Sequence, residues 1–376
     1  MEHYLDNAAT TRVCPEAAEA ALQAMTECYG NPSSTHTKGR EAAKLLAASR
    51  ARVAGALGCR PEELVFTSCG SESDNWALLG GAEAARRVGK HILSSLVEHD
   101  AVRKSLDLLE ARGWEVTRLK PDASGAIRTE DVASALREDT ALVSLMLVNN
   151  ESGGVTDIAG VSRLLRAANS RALLHTDAVQ AFGKLPFSAR TLGADLISVS
   201  GHKIHAPKGV GALYIRSGLR LKPFLVGGSQ ESGRRAGTEA LPQIAAFGAA
   251  AELSARHIRE DAARLCALKA SASEQLRSAL PDALLIESAA PHILSLSLPG
   301  YRSEVLMNFL EAREIYVSKS SACKKGGRSH VLEAMGLDAR RIDGALRVSF
   351  SRFTTQEDID ALCAALTEAH RTLAHR

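Results

Sequence analysis

Aromatic residues make up only 4% of this 376-residue chain. A surface that stacks on unpaired bases needs several of them set in a dense basic patch. Arginines do gather from Arg163 to Arg235, but acidic residues interleave elsewhere, so no dedicated nucleic-acid binding is expected. No run of about 18 apolar residues occurs, which leaves no candidate for a membrane span. The opening Met1-Glu-His-Tyr-Leu-Asp6 is neither basic nor followed by an apolar core, unlike a secretory signal, and a cytoplasmic protein is expected. An excess of either charge is missing too: 46 Lys and Arg stand against 43 Asp and Glu, a net +3 that is small for this length. The seven cysteines are odd in number, scattered and without paired metal spacing, so a reducing compartment fits better than a disulfide framework and no metal site is expected. There is no internal repeat. No Gly-Lys-Ser/Thr phosphate loop occurs either, which removes support for nucleoside triphosphate hydrolysis.

What the chain does have is alternation. Short apolar runs follow alanine-rich helical patterns at Glu16 to Met25, Gly39 to Leu57, Trp76 to Arg87, Val161 to Ala168 and Ile244 to Leu268. This predicts an α/β fold with a mainly parallel, mixed sheet. After Leu268 the pattern changes: a helix to Leu280, strands at Ala283 to Ile286, His292 to Leu298 and Arg347 to Phe350, and a closing helix from Gln356 predict a smaller α+β domain.

Three of the apolar runs end in chemistry. Leu196 to Val199 leads into Ser200-Gly-His-Lys203, after which Pro207, Gly209 and Gly211 punctuate a tight turn, so Lys203 sits where an amine can form a Schiff base. Ala172-Leu-Leu-His-Thr-Asp177 delivers a carboxylate that suits a pyridinium nitrogen, because pyridoxal phosphate acts as an electron sink only while its ring nitrogen stays protonated. Leu64-Val-Phe-Thr67 ends in Ser68-Cys-Gly-Ser71 before a helical pattern, a strand-to-helix junction whose backbone N–H groups and positive dipole end can seat a phosphate. Taken singly, Lys203 is an ordinary surface lysine, and Asp177 and Ser71 are ordinary helix N-caps.

Taken together, these segments and others in order resemble the cysteine desulfurases, pyridoxal phosphate enzymes of the class V aminotransferase group with fold type I. The resemblance runs through Tyr4-Leu-Asp-Asn-Ala-Ala-Thr-Thr11, Asn31-Pro-Ser-Ser-Thr-His36, Glu98-His-Asp-Ala-Val102, Val148-Asn-Asn-Glu151, His175-Thr-Asp-Ala-Val-Gln180 and Ser200-Gly-His-Lys203. It continues through Gly227-Gly-Ser-Gln-Glu231, Arg235-Ala-Gly-Thr238, Ser320-Ser-Ala-Cys323 and Leu346-Arg-Val-Ser-Phe350.

It implies conversion of L-cysteine to L-alanine, with the sulfur passed to an enzyme cysteine as a persulfide. That sulfur would serve iron–sulfur cluster assembly, thio-cofactors or tRNA through a sulfur-acceptor protein. It also implies a large cofactor-binding domain over 15–257, and a small domain of 1–14 plus 258–376 carrying the catalytic cysteine loop. By the resemblance Lys203 would hold the cofactor, Asp177 its ring nitrogen and Gln180 its phenolic oxygen. His99 would stack on the ring and relay protons. Gly70, Ser71, Ser200 and His202 would bind the phosphate, and Thr238 would reach it from a second subunit of a homodimer. Asn150 and Arg347 would grip the substrate carboxylate, a task for which a guanidinium fork is suited. Cys323 would take the sulfur: its polar, glycine-bearing segment and the adjacent Lys324 and Lys325 favour an accessible thiolate.

A selenocysteine lyase or related β-eliminating enzyme would use Lys203 identically without needing Cys323. A catalytically idle scaffold for cluster assembly would need neither, and the presence of Lys203, Asp177, His99 and Cys323 argues against it. Three positions depart from the family pattern: Cys69 replaces a glycine, Lys319-Ser320 replaces Ser-Gly, and Phe350-Ser351 replaces a glycine-containing pair.

Overall fold

In the computed structural model, which describes residues 2–319 and 328–374, seven strands form one sheet. Their order is Leu64–Thr67, Gly211–Ile215, Leu196–Ser200, Leu173–Asp177, Thr140–Ser144, His91–Ser95 and Glu115–Leu119. Gly211–Ile215 runs antiparallel to both of its neighbours and every other pairing is parallel, so six strands point one way. The central strands are buried at every position because helices cover both faces, as a parallel sheet requires. Open sheets of this kind hold ligands beyond the carboxyl ends of their strands. Segments 68–71, 96–99, 145–150, 178–180 and 201–203 all leave those ends.

A second, antiparallel sheet has the order Ser318–Lys319, Ala345–Ser349, Ile293–Ser297 and Leu284–Ile286. The chain start reaches this side of the molecule. His3–Tyr4 pairs in parallel with Ile315–Tyr316, and Asp6 bridges Ser349.

Two expectations from sequence need correction. The helices read as Ile244 to Leu268 and onward to Leu280 are one helix, Leu241–Ala279. Its apolar pattern changes because its packing partner changes: Ile244, Phe247, Ala250 and Ala251 join the core of the large sheet, whereas Leu265, Leu268, Ala272 and Leu276 join that of the small one. No proline or glycine follows Gly248 within it, so nothing in the backbone ends it. The helix expected from Trp76 begins six residues sooner, as Gly70–Ala85. Gly-Ser-Glu-Ser-Asp-Asn is poor helix-forming sequence, but Glu72 holds the first turn. Its carboxylate accepts from the Ser68 backbone N–H at 2.7 Å and from Arg235 Nε at 2.8 Å.

Candidate active site

The cavity at the strand ends, about 300 Å³, is lined by Gly70, Ser71, His99, Asn150, Asp177, Gln180, Ser200, His202, Lys203 and Arg347. The sequence had singled out each of these. Thr238 is exposed and lies away from this cavity, and Cys323 lies outside the described residues. Larger hollows of about 560 and 490 Å³ lie beside Tyr301 and Trp114. Neither is lined by a residue with an unpartnered buried polar atom, whereas the strand-end cavity has three: Asp74 Oδ1, Ser200 Oγ and Arg347 Nε. Buried polar atoms are costly unless something bonds them.

Lys203 closes a single turn, Gly201–Lys203, directly after its strand. Its Nζ donates to the carbonyls of Ala8 and Ala9, both at 2.7 Å, so the chain start forms one wall of the site. Thr11 ties that wall down: its N–H and its hydroxyl both donate to the His202 carbonyl at 2.9 Å. The His202 ring is half-buried, and burial followed by the Lys203 charge lowers its pKa to about 4, leaving it neutral near pH 7.

Opposite lies the start of helix Gly70–Ala85. Cys69, in the cap position, offers no side-chain acceptor to the first-turn amides, so Gly70 and Ser71 present uncapped N–H groups with the helix dipole behind them. Close approach here needs glycine: a Cβ at position 70 would meet Val179 Cγ2 at 2.8 Å.

His99 caps the helix Asp100–Ala111 through Nδ1, which accepts from the Ala101 N–H at 3.1 Å. That bond leaves the ring proton of the neutral form on Nε2. Asp177 is 5% exposed and accepts from the Val179 N–H at 2.9 Å. Burial pushes its pKa up; His99, this hydrogen bond and Lys203 pull it down.

Asp74, which the sequence reading leaves out, is 1% exposed on the same cavity wall. Burial and then the Asp177 charge push its pKa far up, with a Ser198 hydrogen bond opposing them. Two buried carboxyls that feel each other's charge do not both ionise, and Asp177 has the more numerous partners for a charge, so the proton rests on Asp74. With the helix started at Gly70, Asp74 falls one turn on and on the same face; the later start read from sequence hid that relation.

Arg347 is 2% exposed. It donates from Nη2 to Asp6 Oδ1 at 2.7 Å and from Nη1 to the Asn150 carbonyl at 3.1 Å.

The class V aminotransferase model matches residues 3–362. The chain belongs to the cysteine desulfurase family of class V aminotransferases. Cysteine desulfurase 2 of Trichormus variabilis is 44% identical over 362 residues, covering 95% of this chain and 90% of that one. Among solved structures, a NifS-like protein superposes with a TM-score of 0.93 at 37% identity, over 99% of this chain and all (100%) of its own. SspA in complex with cysteine superposes with a TM-score of 0.80 at 30% identity, over 94% of this chain and all (100%) of its own. The mixed, mostly parallel sheet is that of the family's fold type I. Among the described residues no helix is long and apolar enough to cross a membrane.

Proposed function

We propose that this member of the family releases sulfur from L-cysteine as L-alanine forms, using pyridoxal phosphate held in the strand-end cavity. The residues present fit that group. Lys203 would hold it through its ε-nitrogen and Asp177 would face its ring nitrogen. Gln180 would donate to its phenolic oxygen. The uncapped Gly70 and Ser71 amides, with the otherwise unpartnered Ser200 hydroxyl and neutral His202, would take its phosphate. Bound there, the cofactor supplies a conjugated, protonated ring that accepts electrons released at the substrate Cα.

The chain's own groups do the rest. Asp177, kept charged by its partners while Asp74 holds the neighbouring proton, keeps the ring nitrogen protonated. Arg347, with Nε still unpartnered, takes the substrate carboxylate beside Asn150. The Lys203 amine takes the Cα proton, and His99 offers Nε2–H from across the cavity. The Cys323 thiolate then attacks the substrate sulfur: an S–S bond forms, the Cβ–S bond breaks, and the carbon keeps the electron pair and gains a proton to become alanine's methyl group. The described residues on either side of the Cys323 segment contact residues at or next to the cavity lining. Ser318 pairs with Arg347, and the Ser329 hydroxyl donates to Glu151 at 2.5 Å. The complex of SspA with cysteine supports the choice of substrate.

Thr238, exposed on its own chain, would complete the phosphate site of a second copy in a homodimer. The unit of residues 15–257 would hold the cofactor, and 1–14 with 258–376 would bring the sulfur acceptor to it. Cytoplasmic delivery of the sulfur to an acceptor protein completes the reading.

The observation that carries this proposal is the single cavity uniting an amine, a buried carboxylate and an uncapped helix start. The test is borohydride reduction of the protein purified with vitamin B6. The reduced vitamin should be recovered on the peptide containing Lys203, and Cys323→Ala should keep the cofactor's absorbance while losing sulfide release from cysteine. An unmodified Lys203 peptide, or undiminished desulfuration by the variant, would overturn it.

A further inference from the structure

Gln180 is 4% exposed, and its amide lies between a backbone carbonyl and the Lys184 amine. Its Nε2 donates to the Ala8 carbonyl at 2.9 Å, and its Oε1 accepts from Lys184 Nζ at 3.2 Å. A carbonyl can only accept, and an ammonium can only donate. Turning the amide over would set oxygen against oxygen at Ala8 and, while Lys184 is protonated, N–H against N–H at Lys184. The orientation therefore follows from the two neighbours and not from the amide itself.

We infer that Lys184 is a positioning residue that locks the Gln180 amide with its nitrogen toward the cavity, so that Gln180 serves as a donor there and not as an acceptor. Lys184 does not line the cavity; it sits one turn beyond Gln180 and acts through it. The lock extends to the reacting amine, because the Ala8 carbonyl that takes the Gln180 N–H also takes Lys203 Nζ at 2.7 Å. Burial, with the Lys203 and Arg347 charges, pushes the Lys184 pKa well down, while the Gln180 oxygen that accepts from its Nζ favours the protonated form, so the lock is strongest below the pH at which Lys184 loses its proton. His202, His205 and His292 are the other titratable groups that feel Lys184, and burial keeps all three neutral near pH 7.

The consequence for the bound cofactor rests on the function proposed above: the phenolic oxygen needs a donor, and only the locked orientation presents one. The experiment is a double-mutant cycle on the full-length protein with Lys184→Met, Gln180→Leu and both, reading cofactor dissociation and the pH at which the bound cofactor's long-wavelength absorbance titrates. Lys184→Met should weaken cofactor retention roughly five- to tenfold and shift that titration. Adding it to Gln180→Leu should change neither reading further. Lys184→Arg, which keeps a donor, should restore the wild-type absorbance and remains informative if the methionine variant fails to fold. Additive effects, or a Lys184→Met protein that titrates like wild type, would overturn the inference while leaving the cofactor assignment intact. A wild-type protein that binds no cofactor would instead overturn the assignment, and the same cycle read on unfolding midpoints of the cofactor-free chain would still decide whether Lys184 acts through Gln180.

Discussion

Arg347 and Asp6, 341 positions apart, meet at 2.7 Å, the guanidinium Nη2 donating to the carboxylate at the edge of the cavity. The pair joins the chain start to the small sheet and aims a buried cation at the site. Asp6→Asn should cost about 1–3 kcal/mol, less than the loss of a fully buried partner because Asp6 retains some exposure. The urea midpoint reports it. Arg347→Lys should raise KM for cysteine more than tenfold, because one ammonium cannot serve Asp6, the Asn150 carbonyl and a substrate carboxylate together. Unchanged KM would remove Arg347 from substrate recognition.

The two buried carboxyls of the cavity wall should respond oppositely to amide substitution. Asp74 keeps its proton, so Asp74→Asn replaces one neutral group by another and should leave turnover within about threefold of wild type. Asp177→Asn removes the charge proposed to face the ring nitrogen and should lower turnover by roughly 100-fold or more, on the order of 3 kcal/mol. Equal losses from both substitutions would show that the proton is not localised on Asp74.

Ser200 offers a test that separates folding from binding. Its hydroxyl is 1% exposed with no partner for Oγ. Removing an unsatisfied buried group is neutral or stabilising, so Ser200→Ala should not lower the urea midpoint of the cofactor-free chain. It should weaken cofactor binding by about tenfold, the worth of one hydrogen bond to a charged group. A clear loss of stability without a change in binding would assign the hydroxyl to the fold alone.

Glu98 links stability to pH. Burial raises its pKa from an ordinary 4.5 to about 8, while Ser95 Oγ and the Met146 N–H bond its Oε1. Between those values the folded chain holds a proton that the unfolded chain releases. Its stabilisation is therefore full below about 4.5 and is lost as pH rises through about 8. Glu98→Gln should flatten the decline of the urea midpoint from pH 5 to 8; parallel curves for the two proteins would count against a buried proton there.

Much of the site could be read along the chain because each local motif carries its own reason. Lys203 follows Leu196 to Val199, an apolar run that reads as a buried strand and is one. Gly70 permits an approach that a side chain would block, and Asp177 ends a run that a parallel sheet buries on both faces. The same periodicity gave the α/β class and the change of pattern near Leu268. It could not tell one helix meeting two cores from two helices, since the apolar stripe shifts in either case.

The residue types at the strand ends, and hence the chemistry available to this protein, were determined by the sequence itself, because hydrophobic period and turn residues act over a few positions. The tertiary structure alone decided which of two carboxyls keeps a proton, which way the Gln180 amide faces, and that Asp6 holds Arg347. Those outcomes depend on electrostatics and hydrogen bonds acting over a few ångströms between segments brought together only by folding, across distances along the chain that no local pattern records.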